Sequence, residues 1–529
     1  MTPRLVVLGW DSATFDVIDP LVAQGRLPAL ASLIERGNRA TLMSTWPPMT
    51  DCAWTSAFTG RNPGAHGIFG SWYRAPGAYE CRYFSSRDRR APAMWELTDD
   101  VRWLVWNVPM TYPPNAIEGA MVAGYGAPPG SRFCAPASFQ DDLAQRWPLE
   151  DLLDRAPHST LQAFRSDLLR GLETQAEALP WAARTTGADC VVAVWPQVDR
   201  AQHFFWRFRG TDHPLADVVD EVYEAMDRAT AAIVDAFPDA DVMVVSDHGA
   251  GDLKGDVNVG AWLAAHGHAA YASPKRSIAT ELAWALPPRV RTLGRRLAPG
   301  LARKAMGAFL VKQLGPFDWS STDAFVGVHN DLWLNLEGRE ESGTVPESRA
   351  DEVLDEMLGG LLAVTDPATG EHVFAGAYRR SEIYTGLALD LAPDVMLDPW
   401  SQGYRVAVKR EPSDQVVIPP APLAGVGEAW SSDHRPEGIF VAAGPRIEAG
   451  RSESWSLCNI APLSLALLGE PVVDGLEGSV PRSVVSPSFL EGNPVRARAS
   501  TGERAAGGGF STEEAEAVAE HLRHLGYID

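Results

Sequence analysis

Three aspartates and three histidines stand at scattered positions with the side chains that a metal centre needs. Asp11 follows "VVLGW", Asp199 and His203 lie in "VDRAQHFFW", Asp247 and His248 in "VMVVSDHGAGD", and His434 in "SSDHRPEG". A mixed set of imidazoles and carboxylates suits zinc, with manganese or iron as alternatives. Asp199 and His203 are four apart, so one helical turn aims both at one ion. Taken singly, an aspartate after a strand is more often a helix cap, and a single histidine is more often a packed side chain. The conjunction of six such residues at strand ends carries the reading.

A metal centre still needs a group that attacks. In "PPMTDCAWTSAFTGRNPGAHGIFGSW", Thr50 is a hydroxyl just before an expected helix, where backbone N–H groups and the helix dipole favour an anion. A cation on its oxygen would lower the hydroxyl's pKa and make it a nucleophile near neutral pH. The competing reading, a helix cap, has equal weight on the local sequence.

The elements that must hold these residues are apolar strands that end in polar ones. "RLVVLGWD", "VRWLVWNVP", "CVVAVWPQVD" and "VMVVSD" each run from apolar residues into Asp or Asn, and "GIFVAAGP" begins just after Asp433 and His434. Strands apolar at every position are buried on both faces, and in open α/β sheets ligands bind beyond the carboxyl ends. Helix-like stretches such as "DPLVAQGRLPALASLIERG" lie between them. The expected fold is therefore α/β, a mainly parallel central sheet flanked by helices on both faces.

With 529 residues, one ordinary core is too small for the chain. The expected division is a first part of the catalytic core over 1–265, a basic helical cap insertion over 266–320, a second part of the core over 321–490, and a linker with C-terminal helix over 491–529. From Lys275 to Lys312 there are nine basic residues and one acid, Glu281, a local excess of +8 in a chain whose formal charge is −22. Arg289, Arg291, Arg295 and Arg296 of this insertion are expected to steer an anionic substrate, with peripheral contact to an anionic membrane as the alternative use. The acidic total argues against nucleic acid as a partner. The opening apolar run is too short for a signal peptide's core and no stretch reaches the length of a transmembrane span. Five scattered cysteines without CxxC spacing indicate neither disulfides nor a thiolate site, so a cytoplasmic location is expected.

The ordered set Asp11, "MTDCAWTSAFTGRNPGAHGI", "DRAQHFFW", "SDHG" and "DHRPEG" resembles the alkaline phosphatase superfamily, in its type I phosphodiesterase/nucleotide pyrophosphatase branch. The "TYPP" of 111–114, the "LNLEGRE" of 334–340 and the closing "LRHLGYID" are in the style of bacterial members, and the likeness spans roughly residues 4–480. The resemblance implies an alkaline phosphatase-like fold and two divalent metal ions, zinc favoured. One would be held by Asp199, His203 and His434, the other by Asp11, Thr50, Asp247 and His248. It implies that Thr50 takes the phosphoryl group of a small phosphate ester and that water then releases it, the cations stabilising both the attacking and the leaving oxygen.

Where pyrophosphatase members carry an asparagine amide after "HGI", this chain has "FGSW". Ser71, or Asn107 from a neighbouring strand end, is expected to bind the phosphoryl oxygen instead. Trp46, Trp54, Trp72 and Phe205 are candidates to line a pocket. A sulfatase is disfavoured because Cys52 is followed by "AWTS" rather than the Cys-x-Pro-x-Arg pattern. A phosphomonoesterase or phosphomutase-like enzyme remains the alternative, with Arg61, Arg200 and Arg435 available for a dianion. A binding protein without turnover is disfavoured, because every ligand position is chemically competent.

Overall fold

Leu5–Trp10 is buried at every position, and its alternation shows why the strand must be apolar throughout. Val6, Leu8 and Trp10 pack with helices Phe15–Ala23, Leu161–Thr186 and Val218–Ala236 on one face, whereas Leu5 and Val7 join Trp54, Phe58 and helix Ile460–Leu468 on the other. Each large side chain so buried contributes about 1.5–3 kcal/mol. These statements rest on a computed structural model, which describes residues 2–518 except 75–76, 129, 154–159, 273–311, 410–411, 421–429, 500–508, 511–513 and 515–516. The basic insertion and most of the C-terminal helix therefore lie outside the described residues.

The central sheet has ten strands. Its order is Gly450–Arg451, Asn38–Met43, Glu437–Ala443, Asp241–Val245, Leu5–Trp10, Cys190–Trp195, Trp103–Trp106, Gly119–Val122 and Cys134–Ala135, with Trp455–Ser456 also pairing Asn38–Met43. The run from Asp241–Val245 to Gly119–Val122 is parallel. Glu437–Ala443 is antiparallel to both its neighbours, and Cys134–Ala135 is antiparallel to Gly119–Val122. The sheet is thus mixed, with a parallel centre and antiparallel pairings at Glu437–Ala443 and Cys134–Ala135.

The reversal at Glu437–Ala443 has a reason that bears on the site. His434 precedes its strand, whereas Asp11, Asp199 and Asp247 follow theirs. Only an antiparallel strand brings its beginning to the edge where the others end, and here Phe440 stands opposite Val245. A short antiparallel pair, Gly249–Asp252 with Ser432–Arg435, sets His434 opposite Ala250 and ties the two histidine-bearing segments together.

A second, four-stranded antiparallel sheet comprises Ala324–Val326, Asp331–Leu334, Val395–Asp398 and Gly376–Arg379. Leu354, Met357 and Leu361 of helix Ala350–Leu362 belong to its own apolar cluster. Loops of this unit face the carboxyl edge of the central sheet and supply one wall of the cavity described next.

Candidate active site

The first aspartate is aimed by its neighbours. Ser12 follows it in the left-handed region at φ 65°, a strained conformation for a side-chain-bearing residue. That turn lets the Ser12 N–H donate to Asp247 Oδ1 at 3.1 Å, while Trp54 Nε1 donates to Asp11 Oδ2 at 2.9 Å. A Cβ on Gly9 would lie 2.5 Å from the Trp54 ring, so the glycine in "VLGWD" is what admits that tryptophan. Ser246 donates to Ala13 O at 2.9 Å and accepts from Ile439 N at 2.7 Å, locking three strand ends together.

These locks bring the six sequence-derived ligands into two groups. Asp199, His203 and His434 form one and Asp11, Asp247 and His248 the other, with the ligand atoms of each within 4.8 Å of one another. Asp199 and His203 share helix Gln197–Phe205, as their spacing requires. The His248 and His434 rings stack at 3.8 Å and join the groups. Thr50 is the first residue of helix Thr50–Thr59, and the N-cap is Met49, which makes no side-chain cap bond. The Thr50 hydroxyl lies 3.5 Å from Asp11 Oδ1 and 3.3 Å from His248 Nε2, so it faces the second group rather than serving as the helix cap.

The imidazole tautomers show what this arrangement suits. Each Nδ1 faces a backbone carbonyl: His203 that of Ser432 at 2.9 Å, His434 that of Pro48 at 2.8 Å, and His248 that of Gly249 at 3.1 Å. A carbonyl only accepts, so Nδ1 carries the proton and Nε2 is left with a lone pair, the usual state of a metal-ligating histidine. Yet His203 Nε2 lies 3.2 Å from His434 Nε2 and 3.1 Å from Asp199 Oδ1, and His248 Nε2 lies 3.1 Å from Asp247 Oδ2. With Asp199 held ionised, acceptors converge on acceptors in its group, and the pKa of Asp247, raised by burial and by the charge of Asp199, reflects the same crowding in the other. A cation in each group resolves that conflict.

The electrostatics agree. Burial pushes the Asp247 carboxyl well above the carboxylate range, helped by the charge of Asp199, and burial with the neighbouring His434 pushes His248 well below the usual histidine value. Burial also lowers His434. Burial would raise Asp199, but His203 and His434 outweigh it and hold it below its ordinary value. A bound divalent cation is the largest local charge in such a site and favours carboxylate with neutral imidazole throughout.

The groups open onto a cavity of about 380 Å³ whose lining includes Thr50, Asp51, Ser71, Asp199, His203 and His434. Ser71 is among the cavity's lining residues, and its Oγ donates to Asp51 Oδ2 at 2.6 Å. Asn107 is elsewhere: its amide nitrogen donates to Leu152 O at 2.7 Å and Gln175 Oε1 at 3.2 Å, and it is not among the cavity's lining residues. Of the candidate aromatics, Trp54 and Phe205 are fully buried in the core and Trp46 packs on Trp400 at 6.2 Å. Trp72 lines an adjoining apolar recess. Arg200 is fully buried, and neither Arg61 nor Arg435 is among the lining residues.

Several lining residues lacked a sequence argument. Asp51 adjoins the hydroxyl, and burial raises its carboxyl to about 6 against the hydrogen bond from Ser71. Asp433 accepts the His434 N–H on Oδ1, and its buried Oδ2 has no hydrogen-bond partner among the described residues. Both adjoin named residues, which was the available signal. His329, Asn330, Arg405 and Lys409 come from outside the central sheet. Asn330 adopts φ 60°, and its Oδ1 accepts from Val406 N at 2.8 Å.

A hydroxyl beside two buried Asp/His groups at the carboxyl edge of an α/β sheet is an arrangement that suits phosphoryl transfer. The model of the type I phosphodiesterase/nucleotide pyrophosphatase family matches residues 5–420, and the chain belongs to that family, within the alkaline phosphatase superfamily. It is an enzyme of that phosphohydrolase class. No curated protein matches the chain. Among solved structures, phosphonoacetate hydrolase from Sinorhizobium meliloti 1021 in complex with phosphonoformate is similar in fold, with 17% identity, a TM-score of 0.50, and coverage of 87% of this chain and 94% of that one. An inactive form of murine ectonucleotide pyrophosphatase/phosphodiesterase 5 in complex with AMP also matches, at 12% identity and a TM-score of 0.48, covering 92% of this chain and 100% of that one.

Proposed function

We propose that the protein hydrolyses a phosphodiester or pyrophosphate bond of a small substrate through a phosphoryl group carried on Thr50. The observation that supports this most is the position of the Thr50 hydroxyl, 3.3 Å from His248 Nε2 and 3.5 Å from Asp11 Oδ1. Asp199, His203 and His434 would hold one divalent cation, and Asp11, Thr50, Asp247 and His248 the other; zinc fits the three imidazoles best, with manganese or iron as alternatives. When bound, the cations supply Lewis-acid stabilisation of the phosphoryl oxygens and a lowered pKa at the hydroxyl.

The chain's own residues do the rest. Thr50 Oγ1 attacks phosphorus, the bond to the leaving oxygen breaks, and Thr50 carries the phosphoryl ester until water attacks it and restores the hydroxyl. The first amides of helix Thr50–Thr59 favour negative charge beside that oxygen. Ser71 fixes Asp51 next to the nucleophile. The basic segment between Lys275 and Lys312 is read as a helical cap that steers an anionic substrate, a role that lies outside the described residues.

The test is acid quench during turnover of bis(p-nitrophenyl) phosphate, followed by mass spectrometry of the peptide containing Thr50. Thr50 carrying the p-nitrophenyl phosphoryl group that remains after one p-nitrophenolate has left is expected, absent from Thr50→Ala. Full turnover by Thr50→Ala would overturn the reading and make water the nucleophile.

A further inference from the structure

Beside the phosphoryl site lies a second, smaller cavity of about 150 Å³. It is continuous with the first, because Met49, Asp51, Ser71, Tyr125, Val328 and His329 line both. Its remaining wall is mainly aromatic. Trp72 and Tyr83 pack with ring centres 3.7 Å apart, and Phe84 and Tyr112 complete the inner side. Among the described lining residues none is Lys or Arg, and the only carboxylate is Asp51 at the seam. The larger cavity differs, since Lys409 and Arg405, the latter paired with Asp256 at 2.9 Å, line it.

The outer side of this recess comes from the far end of the chain. Phe510 and Val518 line it, with the Phe510 ring 6.1 Å from Tyr112 and Val518 only 4% exposed. Arg87 bonds to Gly509 and Glu514, which stand next to and between these two residues in the sequence. Its two terminal nitrogens donate to the two carboxylate oxygens of Glu514 at 3.0 and 3.1 Å, and one of them also donates to Gly509 O at 3.0 Å. Surface ion pairs are usually weak, but a bidentate one with an added backbone bond has the geometry that fixes position.

We propose that Phe510 and Val518 are part of the substrate site: with Phe510 positioned beside the Arg87–Gly509 bond, they wall an apolar subsite beside Thr50 that takes an uncharged aryl group of the ester. The assignment rests on the phosphodiesterase reading above and names the substrate class for it. A cavity near 150 Å³ is the size that accepts a benzene ring. Aromatic walls favour such a group by stacking. With no cation among the described residues of the wall and a carboxylate at the seam, an uncharged group fits there better than a second anionic one. The alternating roles of the two cavities therefore sort a diester's two arms, the polar one toward Arg405 and Lys409 and the apolar one toward Phe510.

The test compares phenyl p-nitrophenyl phosphate with methyl p-nitrophenyl phosphate on the full chain. Both release p-nitrophenol, so only the retained group differs. The wild type is expected to favour the phenyl ester in kcat/KM by about tenfold or more, the scale set by filling an apolar pocket. Phe510→Ala should bring that ratio toward one through the KM of the phenyl ester, and Arg87→Ala, at an exposed position, should lower it in the same direction. A ratio unchanged in both variants, including an equal fall on both esters, overturns the proposal. Equilibrium binding of diphenyl against dimethyl phosphate to Thr50→Ala tests the subsite separately, with the preference again expected to fall on Phe510→Ala. No turnover of either ester, with that binding preference intact, would instead count against the phosphodiesterase reading alone.

Discussion

His203 Nε2 and His434 Nε2 face each other at 3.2 Å, each ring having its other nitrogen committed to a backbone carbonyl. Two lone pairs at that distance repel unless a cation lies between them. Elemental analysis of protein purified without chelator should find about two divalent ions per chain, one for each ligand group. His434→Ala should lower the content to about one, because it removes a ligand from a single group. Chelation should lower Tm, since ligands that bind only the folded state stabilise it. One ion or none in the wild type would contradict the two-ion assignment.

Thr50→Ala should reduce kcat by about a thousandfold or more, as losses of covalent nucleophiles do. The change in Tm should be small, because the hydroxyl makes no capping bond and the helix N-cap is Met49. Thr50→Ser should retain measurable turnover, having the same nucleophilic atom. A wild-type kcat in Thr50→Ala is the outcome that would remove Thr50 from the chemistry.

Much of this site was legible because it depends on local grammar. Asp11, Asp199 and Asp247 follow strands that are apolar at every position, so their edge of the sheet followed from burial alone. The spacing of Asp199 and His203 likewise fixed a shared helix face. The antiparallel return strand was implicit too: His434 precedes Glu437–Ala443, and only a reversed strand puts it beside the others. The wall formed by His329, Asn330, Arg405 and Phe510 was not legible, because it depends on a separate sheet and the chain's far end meeting the central edge. The orientation of Asn107 was not legible either. A strand end predicts an edge, but its amide turns into the core toward Leu152 and Gln175.

A phosphodiester should be the better substrate than the corresponding monoester. A monoester near neutral pH carries close to two negative charges, and the buried Asp51 carboxyl, next to Thr50 and with no cation bonded to it among the described residues, would repel the added one. In kcat/KM, bis(p-nitrophenyl) phosphate should therefore exceed p-nitrophenyl phosphate. Asp51→Asn should narrow the gap, since it keeps the shape and an acceptor for Ser71 but removes the charge. A preference for the monoester, or a gap unchanged by Asp51→Asn, would show that Asp51 does not set the discrimination.

His66 gives the fold a pH dependence separate from the metal-ligand set. It lies in the "PGAHGI" turn, fully buried, accepting from Ile68 N on Nδ1 at 3.1 Å, so that Nε2 carries the proton and donates to Ser56 Oγ at 2.8 Å. Ser56 is on helix Thr50–Thr59, and this bond fastens the turn to it. Burial, with the nearby Arg89 charge, holds the His66 pKa down at about 3 from an ordinary 6.5. The unfolded chain therefore binds a proton below pH 6.5 that the folded chain refuses until about pH 3, and stability from this group falls as pH falls through that window. His66→Gln should lose about 1–3 kcal/mol near pH 7 through its imperfect replacement of two buried hydrogen bonds. Below pH 6.5 the difference between wild type and variant should shrink, because only the wild type is penalised by protonation. Urea unfolding of both proteins at several pH values from 7 to 4 reads that difference directly. A gap constant across the range would mean that the His66 pKa is not depressed by the fold.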